Sequence, residues 1–151
     1  MALHWKLVID CRDPHTLAEF WAGALEYAVE DPGALVAHLL AAGQLPEAAT
    51  TEHGGSRRFA TLAAIRHPDD AFDPFSGTGQ GRRILFQRVP EEKQGKNRLH
   101  LDVHAGEPGL DVLLARLEAL GVVRVTEVDQ GPAGHWWVMR DPEGNEFCAA
   151  G

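Results

Sequence analysis

The sequence predicts an α+β fold built as two βαβββ modules in tandem, the first enlarged by a helical and loop insertion. Three observations lead there. Two segments 94 positions apart share one pattern: an alternating run, an acid–proline pair, then an amphipathic helical stripe. Three strand-like runs separated by turn residues follow the second stripe. The stretch from about residue 31 to 81 makes the first module longer. On this reading module one spans about residues 3–90 and module two about 97–150 of the 151.

In the first run, Leu7, Ile9 and Cys11 share the face toward the helix, and Lys6, Val8 and Asp10 the opposite one. Asp13 suits an N-cap, and Pro14 fits the first helical turn, where its missing N–H costs nothing. Between His15 and Tyr27, Leu17, Phe20, Trp21, Ala24 and Leu25 recur at helical spacing and form the buried stripe. Asp31-Pro32 opens a further helix over Gly33 to Ala42, ended by Gly43. A weak segment rich in Gly, Ser and Thr runs from about Gln44 to Ser56. Strands are expected over Phe59 to Ile65 and Arg83 to Val89. The Pro- and Gly-rich run His67 to Gly81 between them reads as a loop, long enough for a lid or binding loop.

A shift of 94 positions places Lys6 on His100, Asp13 on Glu107 and Pro14 on Pro108. Leu99, Leu101 and Val103 then form the apolar face of a strand, and His100, Asp102 and His104 point the other way. Glu107 is a poorer cap than Asp13, although its charge suits a helix start. Leu110, Leu113, Leu114, Leu117 and Leu120 make the stripe, and Gly121 the stop. Strands are expected over Arg124 to Val128, His135 to Met139 and Glu146 to Ala149. Asp141-Pro142-Glu143-Gly144-Asn145 forms the turn between the last two, where Gly144 and Asn145 tolerate positive φ. Trp136 and Trp137 fall on opposite faces, so that one can pack under a helix while the other lines a cavity, with core packing the expected role of either.

Hydrophobic residues make up 44% and charged residues 24%, the mixture of a soluble globular chain. The net charge of −8 and the lack of a basic cluster argue against nucleic acid as a partner. Cys11 and Cys148, far apart, do not read as a disulfide framework. The first residues lack the apolar core of a signal peptide and no run reaches membrane-spanning length, so a cytoplasmic location is expected. A phosphate-cradling glycine loop, a Gly-x-Ser-x-Gly elbow, a Cys-x-x-Cys pair and a His-Glu-x-x-His helix are all absent.

The closing segment Arg140-Asp-Pro-Glu-Gly-Asn-Glu-Phe-Cys148 resembles the last hairpin of the vicinal oxygen chelate superfamily, the glyoxalase/bleomycin-resistance/extradiol-dioxygenase group. The join Leu85-Phe-Gln-Arg-Val-Pro-Glu-Glu-Lys-Gln-Gly-Lys-Asn-Arg-Leu-His-Leu-Asp102 is similar to that of a bacterial glyoxalase-like subfamily. Val8-Ile-Asp-Cys-Arg-Asp-Pro14 with Phe20-Trp21 matches that subfamily too. The resemblance implies one curved mixed sheet around a shared cavity, a small-molecule ligand or substrate, and a homodimer. It places the metal-ligand positions at Lys6, Gln87, His100 and Cys148, where the family usually has His or Glu at the first, second and fourth. Here His100 suits a ligand, Gln87 offers only an amide oxygen, Cys148 suits a soft metal as thiolate, and the Lys6 ammonium repels a cation. Glu146, two residues from Cys148 on the same strand face, is a substitute ligand.

Two readings of function follow. In the first, the chain is a glyoxalase-like enzyme of lyase, isomerase or dioxygenase type. One divalent ion on His100, Glu146, Cys148 and Gln87 would act as a Lewis acid, with Glu146 as ligand or general base. Without metal, His100, Asp102 or Glu146 would shuttle a proton. In the second, the chain is a metal-free protein of the bleomycin-resistance type that sequesters a small molecule. Lys6, Gln87, Asp102 and His104 would then be its ligand contacts.

Overall fold

A computed structural model describes residues Met1–Gly151, which divide into two compact units. The first comprises Met1–Ala22 with Glu26–Glu91, the second Gly23–Leu25 with Glu92–Gly151. Strand β1 (Leu7–Cys11) leads into helix α1 (Pro14–Leu25). The Asp13 carboxylate accepts the backbone N–H groups of His15 and Thr16 at 3.2 Å each, as the capping pattern requires. Leu17, Phe20, Trp21 and Ala24 are buried. Glu26, at φ 57°, closes the helix in the left-handed region that glycine usually fills.

Strand β2 (Ala28–Val29) follows, and then the insertion: helix α2 (Gly33–Ala41), a 3-10 turn (Glu47–Ala49) and the hairpin of β3 (Thr50–His53) and β4 (Ser56–Phe59). The hairpin lies in the segment read as weak, and turns on Gly54 and Gly55 at φ 58° and 78°. Strands β5 (Leu62–Arg66) and β6 (Arg83–Arg88) complete the module. The strand expected from Phe59 to Ile65 is β5, which begins only at Leu62, and Phe59 instead ends β4. The two strands break at Ala60-Thr61 and belong to different sheets.

The four-stranded sheet runs β1-β6-β5-β2, with β1 parallel to β6 and the other pairs antiparallel. Along β6 burial alternates as a one-sided core requires: Ile84 and Phe86 are buried and Gln87 is exposed. The loop between β5 and β6 is ordered by carboxylates. Asp73 accepts from the Phe75 and Ser76 backbone, and Asp70 takes the Arg82 guanidinium at 2.7 and 3.0 Å. Gly77, at φ 72°, lies so close to Asp31 that a Cβ would meet its carbonyl oxygen at 2.5 Å. Glu30, with its side chain 6% exposed, receives Arg83 in a two-pronged ion pair at 2.7 and 2.8 Å, and the Gly79 N–H at 2.8 Å.

The second unit repeats the pattern with β7 (Asp102–His104), α3 (Leu110–Ala119), β8 (Val123–Asp129), β9 (His135–Arg140) and β10 (Glu146–Ala150). Its sheet runs β7-β10-β9-β8, again with the first strand parallel to the last. The two units thus share one βαβββ order, and the hydrogen bonds form one mixed sheet in each, beside the β3–β4 hairpin.

Several expectations need correction here. Strand β7 begins at Asp102, so Leu99 falls outside it and is 84% exposed. Glu107 and Pro108 lie in a turn before α3, whose N-cap is Gly109 at φ 84° with no side-chain bond. Leu113, Leu114 and Leu117 are buried, whereas Leu120 is exposed. In the last turn Gly144 alone takes positive φ. The Asp141 carboxylate holds the turn, accepting the Glu143 and Asn145 N–H groups at 2.9 Å. Trp136 and Trp137 are half-buried rather than core, with the Arg124 guanidinium 4.9 Å over the Trp137 ring. No helix is long and apolar enough to cross a membrane.

Candidate functional site

On the second sheet, β10 lies parallel to β7 with Cys148 opposite Asp102 and Ala150 opposite His104. Residues paired across neighbouring strands point to the same side, so the Cys148 thiol and the Asp102 carboxylate meet there. His100, two residues before Asp102, joins them: its Nε2 is 3.4 Å from Asp102 Oδ1. One donor atom from each of His100, Asp102 and Cys148 lies within 4.8 Å of the others. Strand β9 adds Trp136, paired with Ala150 and so on the same face. Together with His104 and His135, these side chains line a cavity of about 360 Å³.

The electrostatics centre on Asp102. Burial and the Asp102 carboxylate, which accepts the thiol proton, push the Cys148 pKa up. The free thiol is therefore held protonated, and a cation that replaced that proton would find a carboxylate already beside it. His135 Nε2 is 2.9 Å from Glu127 Oε1, which fixes its ring at the cavity rim.

The structure brings together His100, Asp102 and Cys148 from the sequence-derived set, with His104 one rung further along the strand. It does not bring Glu146 to them. The Glu146 carboxylate accepts the Asn97 N–H at 3.1 Å and pairs with Lys93 at 3.3 Å. Those contacts hold its pKa down to about 2, the Asn97 hydrogen bond contributing most. A carboxylate so satisfied is a weak base. Lys6 and Gln87 belong to the first unit. Lys6 borders a surface groove with Trp5, Tyr27 and Arg82, and Gln87 is exposed on β6 opposite Asp10. In the first unit Val8 pairs with Leu85, as Asp102 pairs with Cys148 in the second. Leu85 is thus the counterpart of Cys148 by register, and Gln87 lies two residues beyond it.

His135 and Trp136 were not singled out for this site from the sequence. Their signal lies in the hairpin. Counting outward from the Asp141–Asn145 turn pairs Arg140 with Glu146, Val138 with Cys148 and Trp136 with Ala150. That count selects Trp136 over Trp137 for the face that carries the thiol.

The donor set suits a divalent transition metal. Two ligands on one zinc-type ion, each at about 2.0–2.3 Å, are separated by about 3.3–3.8 Å. His100 and Asp102, 3.4 Å apart, already satisfy that spacing, and the Cys148 sulfur lies within 4.8 Å of both donors. Imidazole, carboxylate and thiolate together favour zinc or its neighbours over magnesium or calcium.

Residues 6–150 match the model of the glyoxalase-like domain. Among solved structures, a mutant of the fosfomycin resistance protein FosX from Listeria monocytogenes, complexed with Mn(II) and 1S,2S-dihydroxypropylphosphonic acid, aligns with TM-score 0.59 at 12% identity, covering 99% of this chain and 90% of that one. A glyoxalase/bleomycin resistance protein/dioxygenase family enzyme from Burkholderia phytofirmans PsJN aligns with TM-score 0.57 at 14% identity, covering 96% and 94%. A hypothetical protein from S. aureus aligns with TM-score 0.58 at 10% identity, covering 99% and 94%. Identities this low establish the shared fold alone. No curated protein matches the chain. The order of the strands, the parallel closure of both sheets and the match over residues 6–150 agree, and the chain belongs to the glyoxalase-like domain family of the vicinal oxygen chelate superfamily.

Proposed function

We propose that the chain is a glyoxalase-like small-molecule enzyme whose centre is His100, Asp102 and Cys148, holding one divalent transition metal of the zinc type. The observation that carries this reading is the convergence of three chemically different donor atoms within 4.8 Å on one cavity wall. Such an ion supplies Lewis-acid polarisation of a substrate oxygen. The protein's own groups do the rest. Asp102 sits between His100 and Cys148 and orients both. His104 and His135 place imidazoles, the commonest general acid–base groups, on the cavity wall. Trp136 offers an apolar surface against which an organic substrate packs.

One observation favours a second reading, a metal-free protein that sequesters its ligand. The first unit places Lys6, Val8 and Leu85 where the second has His100, Asp102 and Cys148, so its sheet offers no metal donors at those places. Cobalt(II) titration of the metal-stripped protein separates the two. The enzyme reading expects a sulfur-to-cobalt charge-transfer band that Cys148→Ala abolishes. It also expects zinc affinity, measured against a chromophoric chelator, to fall at least tenfold in His100→Ala and Asp102→Asn. A protein that shows no such band and retains no zinc after dialysis overturns the metal-bearing enzyme reading.

A further inference from the structure

We propose that the first unit contains a separate binding site for a small hydroxy acid, with Arg58 receiving the carboxylate and His15 the hydroxyl. The site is a cavity of about 110 Å³ at the insertion, and it owes nothing to the metal reading above. Leu35 of α2, Leu62 of β5 and Leu85 of β6 supply apolar walls, and Thr78 supplies a hydroxyl.

Arg58 is 8% exposed, yet its guanidinium donates only to neutral acceptors: Nε to the Ser56 hydroxyl at 3.1 Å and Nη1 to the Glu30 backbone carbonyl at 3.2 Å. Asp31 shares no hydrogen bond with it: the Ser56 hydroxyl stands between them, donating to Asp31 Oδ1 at 2.9 Å, and the Arg58 charge is the least of the influences that lower the Asp31 pKa. The other guanidinium on the cavity wall, Arg83, is matched by Glu30, which leaves that carboxylate neutralised and unable to serve Arg58 as well. A buried cation without a paired anion is costly, and a carboxylate placed on its free N–H groups removes that cost. Arg58 and His15 both line the cavity, so a ligand seated there can meet the two together.

His15 narrows the ligand class. Its ring is 6% exposed and lines the same cavity. Nε2 lies 2.9 Å from the Phe59 carbonyl oxygen, an acceptor, so Nε2 carries the proton and donates. Nδ1 is then a lone-pair acceptor, and it is buried without a partner. A buried acceptor calls for a donor, and on a small organic acid that donor is a hydroxyl.

The test is an NMR titration of the full chain with 3-hydroxybutyrate, butyrate and butyramide, reading backbone amide shifts around Arg58 and His15. The expected order is 3-hydroxybutyrate, at least fivefold tighter than butyrate, with no saturable binding of butyramide. Arg58→Gln should weaken both acids at least tenfold, and His15→Phe should bring 3-hydroxybutyrate to the level of butyrate. Leu85→Trp, which fills the cavity and leaves Arg58 itself in place, should abolish binding of both if Arg58→Gln does not fold. Butyramide binding as tightly as butyrate, or acid binding that survives Leu85→Trp, would overturn the assignment. So would the absence of saturable binding by either acid.

Discussion

The two units share a topology and almost nothing else that matters chemically. In the first, α1 is capped by a carboxylate that takes two N–H groups; in the second, α3 starts from a bare glycine in an extended, positive-φ conformation. The first unit carries Lys6, Val8 and Leu85 where the second carries His100, Asp102 and Cys148. The first also holds the Glu30–Arg83 ion pair and, on one cavity, the buried Arg58 and His15, whereas the second keeps its polar groups on a cavity wall of its own. A repeated backbone pattern thus transmits the strand order and leaves the side chains on each face free to diverge.

The largest test of this difference breaks the ion pair. Glu30→Gln leaves the Arg83 guanidinium buried without its charge partner, and urea unfolding should show a loss of about 3–5 kcal/mol. The double variant Glu30→Met, Arg83→Met should recover most of it, since no lone charge remains. The helix starts provide the next test. Gly109→Asp introduces a residue that caps well elsewhere, but φ 84° and ψ 166° belong to a region only glycine enters freely. A loss of about 1–3 kcal/mol is expected despite the better capping group. Asp13→Ala in the first unit should cost about 1 kcal/mol, from the capping bonds to the His15 and Thr16 N–H groups and the bond from the Thr16 hydroxyl.

Acid unfolding provides a smaller test. The Glu146 carboxyl is held near 2, below its ordinary 4.5, so it favours the folded state above pH 4.5 and loses that contribution as the pH falls from 4.5 toward 2. Glu146→Gln should flatten that limb of the stability curve and leave the neutral-pH zinc affinity within twofold. The smallest expected effect is on Lys6 and Gln87. Lys6→Met and Gln87→Met should leave zinc affinity unchanged, because the three donors that lie together are His100, Asp102 and Cys148. A tenfold change in either variant would overturn the assignment of the centre to the second sheet alone.

Much of the fold was legible because local chemistry and global pattern agree. Asp13-Pro14 marks a helix start that the structure uses, and the 94-position offset pairs β1 with β7 and α1 with α3. The β3–β4 hairpin escaped notice although Gly54-Gly55 is the signal a two-residue loop leaves, because its flanking strands are polar and only four residues long. The break at Ala60-Thr61 has no signal: neither residue interrupts a strand by itself, and the neighbouring strands dictate the split. At the site, alternation put His100, Asp102 and His104 on one side of the chain. The proximity of Cys148 to Asp102 depends on the register between strands 46 residues apart, and one sequence does not reveal it. The preference of Glu146 for Asn97 and Lys93 lies equally outside any periodicity.

Each sheet closes by laying its first strand parallel to its last, and this sets the length of chain that must be looped before the sheet exists. Leu7 meets Ile84 across 77 positions in the first unit, and Asp102 meets Cys148 across 46 in the second. Because the entropy of closing a loop grows only with the logarithm of its length, that difference amounts to about 0.5 kcal/mol. The extra helix and hairpin between β2 and β5 therefore burden the assembly of their sheet very little. A chain of this architecture can acquire such a segment, and with it a new cavity, at almost no thermodynamic disadvantage.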